Sequence, residues 1–337
     1  MRHYQRVSVS LIMRRVAGAA VLFWLVVTLI FALVRLAPGD PATLLVPPSA
    51  TAEDVQRLQA DLGLDRPVAV QYARWAGGLL RGNLGDSFAL NVPVTRALAD
   101  AAPISMALGL ASILLTFAIG VPLGLMQAIW RGRVADRLTT VATAAIFSAP
   151  TFWVALALVA FFTYGAASIG LPAGLRLPAL GVRTPGVMLT GWADVADMAR
   201  HAILPIITLA AVGAAGVARY ARSSMIDVLS LDFVRAARAR GASRTRVLSR
   251  HVIVNAMPSL VVLFALTLPG VVAGSVFVES VFAWPGLGRL TLTAIAARDY
   301  PVVLGAGIWY AAAVIVANLA AELALPLLDP RQRGRVS

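Results

Sequence analysis

The chain has 337 residues, of which 59% are hydrophobic and 13% are charged, and its mean hydropathy is +0.80. An average soluble domain carries about 25% charged residues, so this composition excludes an ordinary soluble protein and indicates an integral membrane protein. All 29 basic residues are arginine, which excludes Schiff-base chemistry and a Walker A lysine. The absence of cysteine excludes disulfides, thiolate metal sites and thiol catalysis.

Six apolar runs are long enough to cross a hydrocarbon core, which takes about 20 residues per helix. In chain order they are 11–36, 104–129, 138–164, 201–218, 260–282 and 302–325. The sequence therefore predicts an all-α membrane protein with six transmembrane helices. The first run is too long for a signal peptide and no small-residue cleavage site follows it, so we expect it to remain as an uncleaved helix.

The arginines are distributed unevenly over the segments between these runs. With the amino terminus placed in the cytoplasm, eighteen arginines fall inside, ten fall outside and Arg35 lies at the boundary. Because arginine and lysine concentrate in cytoplasmic loops, this bias predicts that both termini are cytoplasmic. The net charge of +13 is then a consequence of topology, and nucleic acid is not an expected partner.

About 65 residues, 37–102, separate the first two runs and contain seven acidic residues and five arginines. A segment of this size predicts a folded, partly helical extracytoplasmic insertion. Thr51 can cap a helix whose first turn carries Glu53 and Asp54, and acidic residues suit the positive end of a helix. A second helical piece is expected over 68–80.

A polar segment interrupts the apolar chain between the fourth and fifth runs. Asp232 is a suitable N-cap and Gly241 a suitable C′ residue, which predicts a short helix over 232–241. Ser243 can cap a second helix that passes His251 toward the membrane. The arginines of this segment have three interpretations: they set topology, they rest on anionic lipid, or they bind an external motor protein.

The absence of nucleotide-binding and metal-binding motifs limits the possible functions of the chain. No P-loop and no H-E-x-x-H pattern occurs, and His3, His201 and His251 are too scattered for a metal cluster. We therefore expect no catalytic residue, no metal site and no cofactor bound by this chain. Intramembrane hydrolysis would need a nucleophile matched to His201, and a lone histidine at the end of a span is more often a packing residue. Active transport would take its energy from an ion gradient or from a partner ATPase.

Glycine and proline within the runs predict close helix packing or flexible points. Packing is the commoner role for any one of them. Gly120, Pro122 and Gly124 form the strongest candidate for a hinge, because two glycines and a proline within one turn weaken a helix. Among the few acidic groups, Glu279 is a candidate functional carboxylate and Glu322 is expected to pair with a neighbouring arginine.

The polar segment resembles the cytoplasmic coupling loop of permeases from binding-protein-dependent ABC importers of the dipeptide/oligopeptide/nickel class. The similarity covers Asp232 through Pro258, with an acid and an aromatic residue at the start, Arg-Ala-Arg before Gly241, then His251 and Asn255. Further motifs of that family follow in order along the chain: Pro38-Gly39-Asp40-Pro41, Leu62-Gly63-Leu64-Asp65, Gly82-Asn83-Leu84-Gly85-Asp86-Ser87, Gly120-Val121-Pro122-Leu123-Gly124, Pro150-Thr151-Phe152-Trp153, Arg222-Ser223-Ser224-Met225, Glu279 through Gly288, Arg298-Asp299-Tyr300-Pro301 and Asp329-Pro330-Arg331. The sequence departs from the family pattern at two positions. Pro258 lies one residue earlier than the family's proline, which suggests a shifted start of the fifth helix. Glu322 stands where the family usually has aspartate.

The resemblance implies a type I ABC importer permease fold in the bacterial cytoplasmic (inner) membrane. It divides the chain into the first helix with the insertion (1–101), a permease domain (102–328) and a cytoplasmic tail (329–337). It also implies a second homologous permease subunit, two ABC ATPase subunits that use ATP and Mg²⁺, an extracytoplasmic solute-binding protein and membrane lipid as partners. The expected ATPase-coupling residues are Asp232, Phe233, Val234, Arg235, Ala236, Ala237, Arg238, Ala239, Arg240, Gly241, His251 and Asn255.

The cargo is the least determined part of the function. Peptides are the expected substrate, and nickel or an oligosaccharide are the alternatives for the same machinery. A gradient-driven carrier or channel is the alternative from another class, but such proteins usually carry paired acids or polar clusters at midmembrane, and these runs have none.

Overall fold

The computed structural model describes residues 9–36, 46, 49–61, 63–273 and 276–328, so the motifs at 38–41 and 329–331, the predicted tail 329–337 and His3 lie outside the described residues. Within this part the chain is helical, with one isolated bridge between Asp86 and Pro93 and no β-strand. The helices are α1 (Val9–Leu36), α2 (Ala52–Asp61), α3 (Val68–Leu80), α4 (Val94–Ile129), α5 (Val134–Ser148), α6 (Thr151–Ala160, continued by a π-helical segment Phe161–Gly165 and a turn Ala166–Ser168), a 3₁₀ turn (Ala173–Leu175), α7 (Trp192–Leu229), α8 (Asp232–Ala239), α9 (Arg244–Val247, followed by a π-helical segment Leu248–Ile253), α10 (Val254–Ala273), α11 (Val276–Val281), α12 (Leu287–Ala296) and α13 (Tyr300–Leu328).

Six helical stretches in the described chain are long and apolar enough to cross a membrane, which confirms the predicted number of spans. They are Met13–Leu36, Val94–Ile129, Thr151–Ser168, Trp192–Leu229, Arg244–Gly270 and Tyr300–Glu322. We call the end of the bundle that carries α2 and α3 the insertion end. The opposite end, which carries α8 and α9, is the α8 end.

Two of the spanning helices are longer than predicted. α4 has 36 residues and α7 has 38, which gives lengths of about 54 and 57 Å at 1.5 Å per residue. A hydrocarbon core is about 30 Å thick, so both helices project beyond it. The helices therefore extend beyond the predicted runs 104–129 and 201–218. Hydropathy marks the part of a helix that lies in lipid, whereas backbone hydrogen bonding continues through its polar turns.

The third run is divided rather than a single helix. The predicted span 138–164 breaks where α5 ends at Ser148, because Ala149 is extended (φ −74°, ψ 131°) ahead of Pro150. A residue before proline is driven out of the helical region, which explains the break. The fifth spanning stretch, Arg244–Gly270, starts earlier than the predicted run 260–282.

The insertion is anchored to α1 and to the residue just before α13. Its predicted cap forms, since Thr51 Oγ1 accepts the N–H of Asp54 at 3.3 Å, and α3 has the predicted bounds. The hydroxyls of Tyr72 on α3 and Thr28 on α1 are 2.7 Å apart. The buried carboxylate of Asp299, just before α13, accepts hydrogen bonds from the Ser87 hydroxyl (2.5 Å) and the Ala89 N–H (3.1 Å).

Two acidic side chains fix helices at opposite ends of the bundle. The fully buried Glu279 accepts hydrogen bonds from the Ser105 hydroxyl (2.8 Å) and from the N–H groups of Gly288 (2.7 Å) and Arg289 (3.2 Å). A carboxylate at this position stabilises the positive end of α12 and joins it to α4. At the α8 end, Glu322 pairs with Arg15 at 3.2 Å, which confirms the predicted ion pair.

Candidate functional site

α8 is a short helix with one buried and one exposed face. Val234 (0% exposed) and Ala237 (4% exposed) point toward the bundle, while Phe233 is 39% exposed. The predicted N-cap role of Asp232 is wrong, because Leu231 is the N-cap residue and no side chain caps the helix. The carboxylate of Asp232 instead pairs with Arg235 at 2.9 Å, in the first turn, where a negative charge still suits the helix dipole.

The C-terminal end of α8 has the predicted glycine stop. Gly241 has a φ of +82°, in the left-handed region that glycine adopts without steric penalty. The N–H of Ala242 donates to the Ala237 carbonyl at 3.1 Å, and the N–H of Gly241 donates to the Arg238 carbonyl at 2.9 Å. This pair of bonds is the Schellman arrangement, which ends the helix and turns the chain sharply.

The second helix begins as predicted at Ser243, whose hydroxyl accepts the N–H of Arg246 at 3.4 Å. A π-helical segment, Leu248–Ile253, joins α9 to α10, and Pro258 lies inside α10 without ending it. The shifted helix entry expected from Pro258 stays a prediction. Of the two polar residues expected at the site, Asn255 donates its side-chain amide to the His251 carbonyl at 2.7 Å, and the His251 ring lies 6.3 Å from the Phe233 ring.

One apolar cluster connects this helix pair to three spanning helices. The cluster comprises Ala128 of α4, Ala221, Met225 and Val228 of α7, Val234 and Ala237 of α8, Val247 and Val252 around α9, and Ala256 and Leu260 of α10. All of these side chains are buried. α8 is therefore packed against the ends of α4, α7 and α10.

A buried ion pair that the sequence did not predict as part of the site lies beside this cluster. The carboxylate of Asp136, at the start of α5, accepts bonds from the Arg222 guanidinium of α7 at 3.1 and 3.2 Å and from the Gly132 N–H at 2.9 Å. Hydrogen bonding to Arg222 lowers the pKa of the Asp136 carboxyl below its usual range. The sequence offered one signal for this pair, because Asp136 is one of the few acidic residues in segments that carry many arginines. It could not indicate the partner, since Arg222 lies 86 positions away.

The candidate hinge lies at a close contact between α4 and α7. A Cβ on Gly120 would meet the Val217 Cβ at 2.7 Å and the Ala214 carbonyl oxygen at 2.9 Å, while one on Gly124 would meet the Ala221 Cβ at 2.7 Å. α4 is continuous through Pro122. The glycines thus allow close packing of α4 on α7, the commoner role expected for such residues, and bending at this point stays a prediction.

Comparison with known proteins identifies the family. Residues 120–334 match the family described as binding-protein-dependent transport system inner membrane component. The chain belongs to this family. Residues 8–109 match the description for the N-terminal part of membrane components from such systems. The permease is therefore a multi-pass membrane protein of a transport system.

The permease has relatives of nearly the same length. It is 36% identical over 327 residues to a putative peptide transport system permease protein of Brucella abortus, covering 96% of this chain and 99% of the relative. It is 35% identical over 331 residues to the probable D,D-dipeptide transport system permease protein DdpB of Escherichia coli, covering 96% and 97%. Both relatives are permeases by name and neither is described as an enzyme.

A solved structure supports the fold. The permease matches a chain of the MetNI methionine ABC transporter with a TM-score of 0.50 and 18% identity, covering 70% of this chain and 97% of that one. The predicted type I ABC importer permease fold is thereby confirmed.

Proposed function

We propose that the permease forms, together with a second homologous permease, the path by which peptides cross the membrane, and that α8 couples this path to ATPase subunits. The observation that carries the proposal is the geometry of α8: its exposed face is free to contact a partner, while its buried face belongs to a cluster shared by three spanning helices. The names of the relatives support peptides as cargo rather than nickel.

The composition of α8 suits a docking helix. Ala236 and Ala239 are exposed and small, which allows close approach of another surface, and Phe233 supplies an apolar contact. Arg235, Arg238 and Arg240 provide charge-assisted hydrogen bonds at the rim. Closure of an ATPase that holds this face would displace α8 as a rigid body and switch the bundle between inward-open and outward-open states.

The proposed assembly has two permeases, two ABC ATPases and an extracytoplasmic solute-binding protein. In it, ATP and Mg²⁺ are used by the ATPase subunits and this chain binds no cofactor. The positive-inside distribution of arginine favours cytoplasmic termini, so the α8 end would be cytoplasmic and the insertion would meet the binding protein.

The test is peptide uptake into proteoliposomes that contain the whole assembly, with and without ATP. We expect uptake to require ATP, and uptake by this permease alone without ATPase partners would contradict the proposal in favour of a carrier.

Phe233→Asp on α8 is expected to lower ATP-dependent uptake by more than about tenfold, since the charge would lie in a desolvated contact worth at least about 1.4 kcal/mol. The matched control is Val134→Asp at the start of α5, another exposed apolar residue at the same end, which should retain uptake.

The cargo is tested separately. The binding protein encoded beside this gene is purified and its bound ligand identified by mass spectrometry. A peptide is the expected result, and a nickel complex or an oligosaccharide would overturn the peptide assignment while leaving the coupling role intact.

A further inference from the structure

A cavity of about 670 Å³ opens behind α8, between the last turns of α4 and α7 and the turn from α8 to α9. Its volume lies within the range of about 300–1,000 Å³ that is typical of small-molecule sites. Among the α8 side chains that we assign to the ATPase contact, only Arg238 lines this cavity. The coupling role proposed above therefore leaves most of the cavity wall without a function.

Four guanidinium groups line the cavity: those of Arg131, Arg133, Arg238 and Arg244. No acidic residue is among the described residues that line it. Arg244 donates to the Ile129 carbonyl at 3.2 Å, whereas the side chains of the other three form no hydrogen bond or ion pair with the described part of the chain. Four like charges converging on one cavity repel each other, and an anion would relieve this repulsion.

Two neighbouring arginines at the same end are neutralised within the chain. Arg222 is paired with Asp136 and Arg235 with Asp232. The cavity arginines have no carboxylate partner among the described residues, and in this they resemble several exposed arginines of the same end. They differ from those exposed arginines because they line one concave site together, which makes the cavity a candidate place for an external anion.

The remaining wall of the cavity is mostly apolar and lies at the ends of two spanning helices. Ile129 and Leu229 belong to the final turns of the two long spanning helices, and Val247 and Leu248 complete the apolar side. A ligand that matches this lining has a phosphate for the guanidiniums and a hydrocarbon part for the aliphatic side chains. A phospholipid has both, and phospholipids surround any protein that spans a membrane.

We propose that this cavity binds the headgroup of an anionic phospholipid, with the phosphate held by Arg131, Arg133, Arg238 and Arg244. The inference rests on the proposed cytoplasmic placement of the α8 end. Bound lipid would bridge the ends of α4 and α7 to the turn after α8. It would stabilise the base of the coupling helix by mass action, because the ligand binds the folded arrangement of all three elements.

The experiment measures lipid binding directly. The full-length permease is purified with the subunits that copurify with it, stripped of lipid, and titrated with phosphatidylglycerol or phosphatidylcholine while bound lipid is counted by native mass spectrometry. We expect retention of phosphatidylglycerol over phosphatidylcholine. An arginine near an anionic lipid surface contributes about a factor of five in affinity, so the double variant Arg131→Gln/Arg238→Gln should bind phosphatidylglycerol about 25-fold more weakly.

Three comparisons make the result decisive. Arg246→Gln removes an exposed guanidinium of the same loop that does not line the cavity, and should leave binding unchanged. The charge-preserving variant Arg131→Lys/Arg238→Lys should recover most of the affinity. Millimolar inorganic phosphate should compete poorly, because it lacks the apolar part.

Three results would overturn the proposal. The first is unchanged phosphatidylglycerol binding by the double glutamine variant, and the second is an equal loss of phosphatidylglycerol affinity with Arg246→Gln. The third is displacement of lipid by inorganic phosphate at equal affinity, which would assign the cavity to a free anion. Lipid binding is measured without transport, so the two proposals can fail separately. A permease that binds the lipid but takes up peptide without ATP would contradict the coupling role and leave the lipid site intact.

Discussion

Replacement of Gly241 by valine tests the coupling role of α8 most sharply. Gly241 has a φ of +82°, and a Cβ built there meets no atom within 4 Å, so the substitution introduces backbone strain without a steric clash. A left-handed conformation costs an L-residue about 1–2 kcal/mol, and a β-branched side chain is at the upper end. Relief of this strain would break the two Schellman bonds that end α8.

A local penalty of about 2 kcal/mol lowers the population of the ordered turn relative to its unwound form by a factor of about 30. We therefore expect Gly241→Val to retain ATP hydrolysis by the partner subunits while ATP-dependent uptake falls by at least about tenfold. The assay compares the ratio of peptide transported to ATP hydrolysed in proteoliposomes. The ratio isolates coupling from changes in the amount of assembled protein.

Two variants serve as controls for this experiment. Gly241→Asn should stay near the parent, because asparagine tolerates the left-handed region better than other non-glycine residues. Gly186→Val imposes the same strain at a glycine with φ +77° and open space, far along the chain from α8, and should leave coupling intact. Normal coupling in Gly241→Val, or an equal loss in Gly186→Val, would refute the reasoning.

Three further predictions concern the packing that supports the site. Gly124→Leu should lower the melting temperature of the purified permease, since overpacking costs about 1–3 kcal/mol, whereas Gly18→Leu in α1, with nothing within 4 Å of its Cβ, should not; equal melting of both variants would contradict the close contact. Asp136→Asn should destabilise the permease by about 1–3 kcal/mol because it leaves the Arg222 guanidinium without its charged partner. Since the pKa of Asp136 is lowered in the folded state, this contribution is present above the unfolded pKa of about 3.9 and is lost as pH falls through the lower folded pKa; a difference between parent and variant that does not shrink as the pH is lowered below about 3.9 would argue against the ion pair. Glu279→Gln should increase hydrogen exchange in α12, because an amide offers one acceptor oxygen instead of two and about 1–3 kcal/mol is lost; unchanged exchange would show that the carboxylate does not hold that helix.

The sequence was most informative where structure depends on neighbouring residues. The glycine stop at Gly241, the cap at Ser243 and the bounds of α3 follow from local backbone preferences, and all three appear in the structure. Asp232 shows the limit of such reasoning. Its side chain can cap a helix or enter the first turn, and α8 begins one residue earlier than its position predicts.

The predictions failed at helix ends and at pairs that are distant in sequence. Hydropathy could not show that α4 and α7 continue past the lipid, because their terminal turns are polar yet helical. The bonds from Asp136 to Arg222 and from Ser87 to Asp299 join residues 86 and 212 positions apart. No local pattern specifies such partners, because they meet only when the bundle packs.

By itself, the sequence determined that the chain is a six-span helical membrane protein, and its ordered motifs indicated its family. These properties follow from hydropathy, from arginine distribution and from backbone preferences that act over a few residues. Only the tertiary structure decided that α8 lies on a cluster shared by three spanning helices, that Gly120 and Gly124 lie at the contact of α4 and α7, and that four arginines from separate segments surround one cavity. The physical reason is that burial and charge neutralisation depend on which distant side chains come within contact distance.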